Sequence, residues 1–347
     1  MNNTTISLYD YDLPKDQIAD TPLDHRENSK LLHINLTNNK RHERQFYNLL
    51  EILEPGDLLI LNNTRVIPAR MHMTKDTGGK LELLFHRKLS DHSCEAIFSS
   101  SRSPQLGSVL SIKDNILFKV LKKNKNILTL GSLSDNNIFE IFEKFGETPL
   151  PKYIKRPLSE SDKNKYQTVY AKSKGSVAAP TAGLHFTQDM IEKLVSKGVI
   201  IEYITLHISY NTFKPITCES YLDHDIGSEY ISITDKIFSK INEARSLNNR
   251  VIAVGTTVTR AVEFCYLNKI YQSYNGPVDL FIYPGYKFMA INCIITNFHL
   301  PRSSLLLLVS AFAGRNKILE AYKYAVSKNY RFYSYGDSMF LENVNEV

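Results

Sequence analysis

The stretch Arg250-Val-Ile-Ala-Val-Gly-Thr-Thr-Val-Thr-Arg260 contains the pattern that decides the fold. Its four apolar residues, Val251 to Val254, predict a buried strand, and Gly255 predicts a tight turn. Thr256 and Thr257 then open a helix. A strand that turns directly into a helix is the building unit of α/β proteins. The free N–H groups of such a turn favour a carboxylate, a ribose or a phosphate, although a capped helix after a strand explains the pattern equally well.

Helices and strands alternate on both sides of this stretch. Thr187 predicts the N-cap of a helix that ends at Gly198, and Thr234 predicts the N-cap of another. The other predicted elements are strands at 31–36, 58–61, 199–206, 280–283 and 290–295, and helices at 46–53, 304–312 and from there to about 328. This alternation predicts an α/β sheet.

Residues 70–149 have a different texture. Short strand-like runs at 81–87, 94–99, 116–121 and 127–130 are separated by turn residues, which is typical of a small antiparallel barrel or sandwich. A helical pattern at 137–145 and the segment Pro149-Leu150-Pro151 close this region. We therefore predict a larger mixed α/β domain, 1–69 and 150–347, interrupted by a small inserted antiparallel β-barrel domain, 70–149.

Composition excludes several classes of protein. The 347 residues are 43% hydrophobic and 22% charged, as in ordinary globular proteins. The four cysteines are far apart, so we expect no disulfide framework and no metal site. No apolar run reaches the roughly 20 residues that cross a bilayer, and the N-terminal residues lack a secretory pattern. These features predict a cytoplasmic location without membrane contact.

Small residues dominate residues 175–186, which read Gly-Ser-Val-Ala-Ala-Pro-Thr-Ala-Gly-Leu-His-Phe. Such a segment lets a ligand approach the backbone closely, so Thr181 and Gly183 are candidate substrate contacts and His185 is a candidate acid or base. A tight buried turn with a hydrogen-bonded histidine is an equally good interpretation.

Polar residues also stand where strands are predicted to end. Ligands of open sheets gather at the carboxyl ends of strands, which makes Asn297, His299 and His207 candidates, although a lone histidine there is more often structural. The segment 330–339, which contains Tyr335 and Asp337, is either a nucleoside-contacting strand or the aromatic edge of the core.

Together these motifs resemble the S-adenosylmethionine:tRNA ribosyltransferase-isomerases of queuosine biosynthesis. The resemblance spans nearly the whole chain, and the order of the motifs carries it. The matching blocks are 13–22, 63–70, 78–83, 149–154, 166–170, 175–186, 250–260, 281–285, 296–301 and 331–339.

The resemblance implies both the fold and the reaction. The ribosyl part of S-adenosylmethionine is moved onto the aminomethyl group of a 7-deazaguanine in tRNA, which gives epoxyqueuosine and releases adenine and methionine. S-adenosylmethionine is then a consumed substrate, and no resident cofactor is expected. The partners are that tRNA and S-adenosylmethionine; no feature demands a protein partner, so a monomer is the default expectation.

This chemistry needs an acid for adenine, a base and an anchor for the methionine carboxylate. The candidate catalytic residues are His185, His207, His299, Glu229 and Asp337. The candidate substrate-binding residues are Thr181, Gly183, Gly255, Thr256, Thr257, Arg260, Asn297 and Tyr335. Ser209 and Asn211 stand where the family usually has glycine, and Gly227 stands where a histidine is common, which weakens the assignment of the nearby Glu229.

Two other functions compete with this one. The first is a non-catalytic RNA-binding protein derived from the family, and the second is another transferase that uses the Gly255 turn as a phosphate cradle. The first is disfavoured by the retention of five candidate site residues, His185, His207, Arg260, His299 and Asp337. The absence of a Walker-type motif argues against the second.

Positive charge is concentrated between residues 113 and 174. This window has 13 Lys and Arg against 7 Asp and Glu, an excess equal to the +6 of the whole chain. A solvated surface is the common fate of lysines, but beside a tRNA substrate we predict contacts to phosphates. The candidate tRNA-binding residues are Arg65, Lys152, Lys155 and Arg156.

Overall fold

A computed structural model of the chain describes residues 4–151, 153–154, 156, 159–209 and 215–343. The chain divides into two compact units. The first contains residues 1–63, 167–171 and 180–347, and the second contains residues 64–166 and 172–179. The domain boundaries at 69/70 and 149/150 stay a prediction.

Strands and helices account for most of both units. The strands are β1 (Lys30–Asn35), β2 (Lys40–Gln45), β3 (Leu58–Asn62), β4 (Thr64–Val66), β5 (Arg70–Lys75), β6 (Lys80–Ser90), β7 (Ser93–Ser99), β8 (Val109–Ile112), β9 (Asn115–Asn124), β10 (Ile127–Ser132), β11 (Ser173–Ser176), β12 (Ile200–His207), β13 (Glu229–Ile233), β14 (Val251–Val254), β15 (Tyr274–Val278), β16 (Cys293–Asn297) and β17 (Ser338–Glu342). The helices are α1 (Leu49–Ile52), α2 (Ile138–Phe145), α3 (Glu160–Lys165), α4 (Gln188–Lys197), α5 (Asp235–Ser246), α6 (Thr256–Leu267), α7 (Ser304–Ala313) and α8 (Arg315–Ser327). None of the helices in the described ranges has the length and apolar character that crossing a bilayer requires.

The first unit is built on a nine-stranded sheet. Its strand order is β15-β13-β12-β3-β14-β16-β17-β1-β2. Strands β12, β3, β14 and β16 run parallel, and every residue of β3, β14 and β16 is buried. Such continuous apolar strands are expected where both faces of a parallel sheet are covered. The carboxyl ends of β14 and β16 therefore lie at one edge, which is where the candidate site is found.

A second layer covers this sheet. Side chains of residues 46–53, the 3-10 helix Thr181–His185 and α4 pack on β3, β14 and β16 in one apolar cluster. Phe46, Phe186 and Leu194 are among its fully buried members. The helix α4 begins at Thr187, whose hydroxyl accepts from Met190 N–H, and ends at Gly198 with φ +98°. Both helix boundaries follow the sequence prediction.

The second unit contains a closed six-stranded barrel in the order β10-β7-β6-β5-β8-β9. All its neighbouring strands with described pairing are antiparallel. Helix α2 begins with a capping box between Asn137 and Glu140 and buries Phe142 against Phe85 of the barrel, with ring centroids 5.2 Å apart. The fold class is thus a mixed α/β sheet with an antiparallel barrel, as predicted.

Two local predictions differ from the structure. Residues 280–283 do not form a strand; the strand is Tyr274–Val278, which pairs with β13 at the end of the sheet. It contains Gly276 and Pro277, which look like turn residues, but an edge strand tolerates a proline because one side needs no ladder donor. The hydroxyl of Thr234 makes no capping hydrogen bond, and the Asp235 N–H donates to Ser273 Oγ instead.

Candidate active site

His185 is the centre of a buried polar cluster in the first unit. Its Nδ1 lies 2.8 Å from Ser29 Oγ, and its Nε2 lies 3.2 Å from Asn297 Nδ2. Its ring packs on Phe46, with centroids 4.9 Å apart. Burial lowers the pKa of His185 to about 3, so the ring is neutral near pH 7. The 3-10 helix after the small-residue segment and the end of β16 thus meet at this histidine.

Asn297 determines the tautomer of that ring. Its Nδ2 also donates to the carbonyl oxygen of Tyr333 at 3.1 Å. A carbonyl oxygen only accepts hydrogen bonds, so the atom between Tyr333 and His185 is the amide nitrogen. His185 Nε2 is therefore an acceptor, and Nδ1 carries the proton that is donated to Ser29 Oγ.

Gly183 lies against the segment 167–171. A Cβ at this position would be 2.0 Å from the hydroxyl oxygen of Tyr170 and 3.0 Å from Cγ2 of Thr168. No side chain fits there without movement of these neighbours. The hydroxyls of Thr168 and Tyr170 are buried and have no hydrogen-bond partner among the described residues. Glycine is needed here because Tyr170 approaches the backbone closely; the role of Gly183 as a substrate contact stays a prediction.

Two arginines give this cluster positive charge. The positive charges of Arg26 and Arg331 both act to lower the pKa of His185. Arg26 donates from Nη1 to the carbonyl oxygen of Gln167, and it also interacts with Tyr170 and Tyr335. The cluster therefore suits an anion or a polar heterocycle more than a cation.

The Gly255 turn lies beside the same 3-10 helix. Gly255 has φ +95°, and a Cβ there would be 3.7 Å from Cβ of Ala182. Its N–H donates to Ile295 O at 2.7 Å, which joins the turn to β16. Thr256 and Thr257 follow at the start of α6, and both are mostly buried. The structure thus brings together the Gly255 turn, the 181–185 segment and the end of β16.

Arg260 is buried one turn further along α6. Its Nη1 donates to Glu229 Oε2 at 2.7 Å, and its Nε donates to Leu280 O at 2.9 Å. Its Nη2 is buried and has no acceptor among the residues that the structure describes. The second oxygen of Glu229 accepts from Ser209 N–H at 3.2 Å. Arg260 thus has one unused donor, which is the chemistry of a carboxylate or carbonyl anchor.

Comparison with known proteins identifies the family. A family model described as "Queuosine biosynthesis protein" matches residues 6–341. The chain belongs to this family. Its resemblance to the family, predicted from the sequence, is confirmed.

Relatives within the queuosine biosynthesis family cover almost the whole chain. A protein of Francisella tularensis subsp. novicida (strain U112) named S-adenosylmethionine:tRNA ribosyltransferase-isomerase is 43% identical over 333 residues, 96% of this chain and 98% of the relative. A relative of the same name from Francisella philomiragia subsp. philomiragia has the same identity of 43% and the same coverage, 96% of this chain and 98% of its own. The crystal structure of S-adenosylmethionine tRNA ribosyltransferase from Thermotoga maritima has a TM-score of 0.56 at 31% identity, and covers 96% of this chain and 100% of that chain.

His299 and His207 of this family member have surroundings different from those of His185. His299 Nε2 lies 3.0 Å from Thr296 Oγ1, and its backbone N–H donates to the Tyr322 hydroxyl. His207 pairs with Tyr230 across β12 and β13, which places it on the opposite face of the sheet from Glu229. Burial lowers the pKa of His299 to about 3 and that of His207 to about 4. Their acid or base roles stay predictions.

Asp337 makes hydrogen bonds that hold the chain in place. One carboxylate oxygen accepts from Lys30 N–H and the other accepts from Arg331 N–H, each at 2.8 Å. The side chain is buried, and burial raises its pKa. Both oxygens are thus occupied by backbone donors. This geometry is that of a residue which ties the segment 331–337 to β1.

The candidate tRNA-binding residues belong to the second unit. Arg65 is exposed on β4 and is paired in register with Lys174 of β11. Arg156 makes two hydrogen bonds, at 2.6 and 2.7 Å, to the buried carboxylate of Asp162, and these bonds lower the pKa of that carboxyl to about 2. Lys152 and Lys155 lie outside the described residues, as does Asn211.

Sequence reasoning missed several residues of the His185 cluster. Arg26 begins the 3-10 helix Arg26–Asn28, and Ser29 follows this helix directly before β1; neither belongs to a recognisable motif. Thr168 and Tyr170 lie in a block that matched the family without an assigned role. An Arg-Glu-Asn-Ser sequence directly before an apolar strand is a signal too weak to identify a site.

Proposed function

We propose that the protein is an S-adenosylmethionine:tRNA ribosyltransferase-isomerase. It moves the ribosyl part of S-adenosylmethionine onto the 7-aminomethyl group of a 7-deazaguanine in tRNA, and adenine and methionine leave. The observation that carries the proposal is the 43% identity over 96% of this chain to a relative of that name. S-adenosylmethionine is consumed in this reaction, so the proposal includes no resident cofactor. A cytoplasmic location and a monomeric state stay predictions from the sequence.

The unused donor of Arg260 supports an anchor for the methionine carboxylate. A buried guanidinium N–H without an acceptor is costly, and a carboxylate would satisfy it with a charge-assisted bond. Glu229 offsets the charge of Arg260 when no substrate is bound. In this proposal Glu229 orients the anchor, and Thr256 and Thr257 face the ribose at the start of the same helix.

The His185 cluster supports a pocket for the heterocyclic part of a substrate. Thr181 begins the 3-10 helix that carries His185, Gly183 leaves room for Tyr170 beside that helix, and Tyr335 adds an aromatic face. In this proposal His207 and His299 supply the acid that assists adenine departure and the base that accepts protons. Asp337 is proposed to position the segment 331–337 and not to exchange protons with the substrate.

The basic face of the second unit supports docking of tRNA phosphates. Arg65 is exposed and has no carboxylate partner among the described residues. Lys174, its neighbour in register, pairs with Glu143 at 2.5 Å. Because Asp162 partly neutralises Arg156, we assign the stronger phosphate contact to Arg65.

The test of the reaction is release of adenine. The protein is incubated with S-adenosylmethionine and with tRNA that carries the aminomethyl base, and free adenine is measured by chromatography. Release that requires this tRNA is expected. Tight binding of the tRNA without adenine release would overturn the proposal in favour of a non-catalytic RNA-binding protein.

The test of the anchor is Arg260→Lys, which keeps the charge beside Glu229 but loses the unused Nη2. The KM for S-adenosylmethionine should rise about tenfold with little change in that for tRNA, because a charge-assisted hydrogen bond contributes about 1.5–3 kcal/mol. Arg245→Lys is the matched control, since the Arg245 guanidinium donates to the backbone carbonyl of Met289. An equal effect of both variants would refute the assignment.

A further inference from the structure

Asn297 is the last residue of β16, and its side-chain oxygen accepts no hydrogen bond from the described residues. The side chain is 3% exposed, and its Nδ2 donates to both His185 Nε2 and the Tyr333 carbonyl. Its orientation is fixed because that carbonyl accepts only. Its Oδ1 is buried and has no hydrogen-bond partner among the described residues.

An amide oxygen accepts hydrogen bonds and never donates them, so the missing partner must be a donor. Buried acceptors are almost always paired, and an exception at the end of a strand points to a ligand. The hydroxyls of Thr168, Tyr170 and Ser334 are also buried and unpaired in the described structure. These hydroxyls can donate or accept, whereas Asn297 selects for a donor.

His185 is fully occupied in holding Asn297. Its Nε2 accepts from the amide, its Nδ1 donates to Ser29 Oγ, and its ring packs on Phe46. Neither nitrogen is left for exchange of a proton with a substrate. The arrangement is a support that fixes the direction of the Asn297 amide.

We propose that Asn297 Oδ1 accepts a hydrogen bond from an amino group of a substrate, and that His185 is the positioning residue that holds Asn297 for this contact. The inference rests on the proposed function. Each substrate of that function has an amino group near the reacting atoms: the aminomethyl nitrogen of the tRNA base and the exocyclic nitrogen of adenine. Both groups can donate a hydrogen bond, and the test separates them.

The test compares ligands that differ in one amino group. Equilibrium binding is measured for tRNA with the 7-aminomethyl base against tRNA with a 7-cyano base, and for S-adenosylmethionine against its analogue without the 6-amino group. Each ligand is tested alone, so no turnover occurs. The wild-type chain should prefer the amino ligand of one pair about tenfold, as expected for one hydrogen bond to a buried acceptor.

In Asn297→Ala that preference should fall to about twofold or less, and the pair in which it falls identifies the amino group. Asn268→Ala is the matched control, because this exposed amide donates one hydrogen bond, to Phe264 O at 2.8 Å, at the end of α6. If both preferences are absent in the wild type, or unchanged in Asn297→Ala, the contact is refuted. Melting temperatures establish that each variant is folded.

The positioning role of His185 has a test of its own. The same test examines the Asn297 contact if Asn297→Ala fails to fold. His185→Gln offers an oxygen in place of Nε2, whereas His185→Leu does not. Glutamine should preserve the ligand preference and the pH profile of adenine release, and leucine should abolish the preference. Loss of one limb of the pH profile in His185→Gln would make His185 a proton carrier and overturn the role. Absence of adenine release by the wild type would refute the proposed function separately, because the binding comparison does not depend on turnover.

Discussion

The buried pair of Arg260 and Glu229 gives the most direct quantitative prediction. Their side chains are 3% and 2% exposed, and 2.7 Å separates Nη1 from Oε2. The substitution Glu229→Gln keeps the shape but removes the negative charge. The guanidinium then remains buried with neutral acceptors, the Leu280 carbonyl and the new amide oxygen.

The magnitude follows from the burial. Removal of one partner of a buried ion pair costs about 3–5 kcal/mol, because the other charge is left uncompensated. Glutamine can still accept from Nη1, so we expect a loss of about 3 kcal/mol. Arg260→Met should cost about 3–5 kcal/mol, since the carboxylate keeps the Ser209 N–H but loses its counter-charge. The double variant removes both charges and should lose about 3 kcal/mol less than the sum of the two single variants.

The assay is a double-mutant cycle on the free energy of unfolding in urea. Hydrogen exchange of the amides of β13 and α6 reports whether the loss lies in this part of the sheet. A double variant whose loss equals the sum of the single losses, within about 0.5 kcal/mol, would refute the reasoning. It would mean that the two charges do not stabilise each other.

Three further predictions concern other parts of the chain. Gly183→Ala should destabilise the first unit by about 1–3 kcal/mol, because the new Cβ would lie 2.0 Å from the Tyr170 hydroxyl oxygen. Adding Tyr170→Phe to this variant should restore part of the loss in melting temperature. If the second substitution restores nothing, the clash is not the cause of the loss. Stability should fall in acid, because His185 and His299, with pKa values of about 3 in the folded chain against 6.5 unfolded, bind protons only on unfolding. The contribution of each histidine to stability is complete above pH 6.5 and is lost as the pH falls towards 3; at pH 5 the loss is about 2 kcal/mol per histidine. His299→Gln should therefore reduce the change of the unfolding free energy with pH. An unchanged dependence on pH in this variant would contradict the prediction. Arg65→Glu should weaken tRNA binding and make the negative slope of log affinity against log salt shallower by about 1. Lys193→Glu, which reverses one charge on α4, should change neither quantity. Equal effects of the two variants would mean that the tRNA does not dock at Arg65.

The fold could be predicted where hydrophobic pattern and local signals agree. The strand Val251–Val254 was predicted with the bounds found, and α4 ends at the glycine that the sequence indicates. The strand Lys40–Gln45 was not predicted, because its residues are nearly all exposed and polar. The strand Ser338–Glu342 was not predicted with these bounds, because its apolar run is only the three residues Met339 to Leu341.

The sequence allowed prediction of the strand ends where the candidate site lies, but not of the side-chain contacts made there. Parallel strands place their carboxyl ends together, which is why Asn297 and Gly255 were found from the sequence. The pairing of Arg260 with Glu229, 31 residues away, depends on how α6 lies on the sheet. No local pattern reports that placement. The same is true of Ser29, which is 156 residues from His185 and reaches it through the turn before β1.

The hydrogen bonds of Asp337 are a feature that residue type alone does not predict. A buried carboxylate in an aromatic segment resembles a general base, yet its two oxygens hold the N–H groups of Lys30 and Arg331. This fixes the turn that contains Tyr333, whose φ of +76° is unusual for a bulky residue. The strained turn presents the Tyr333 carbonyl to Asn297 Nδ2. Such strain persists only where neighbouring contacts over-determine the backbone, and the two hydrogen bonds of Asp337 supply that determination. Asp337 therefore acts on the site through the backbone: it fixes the direction in which Asn297 faces.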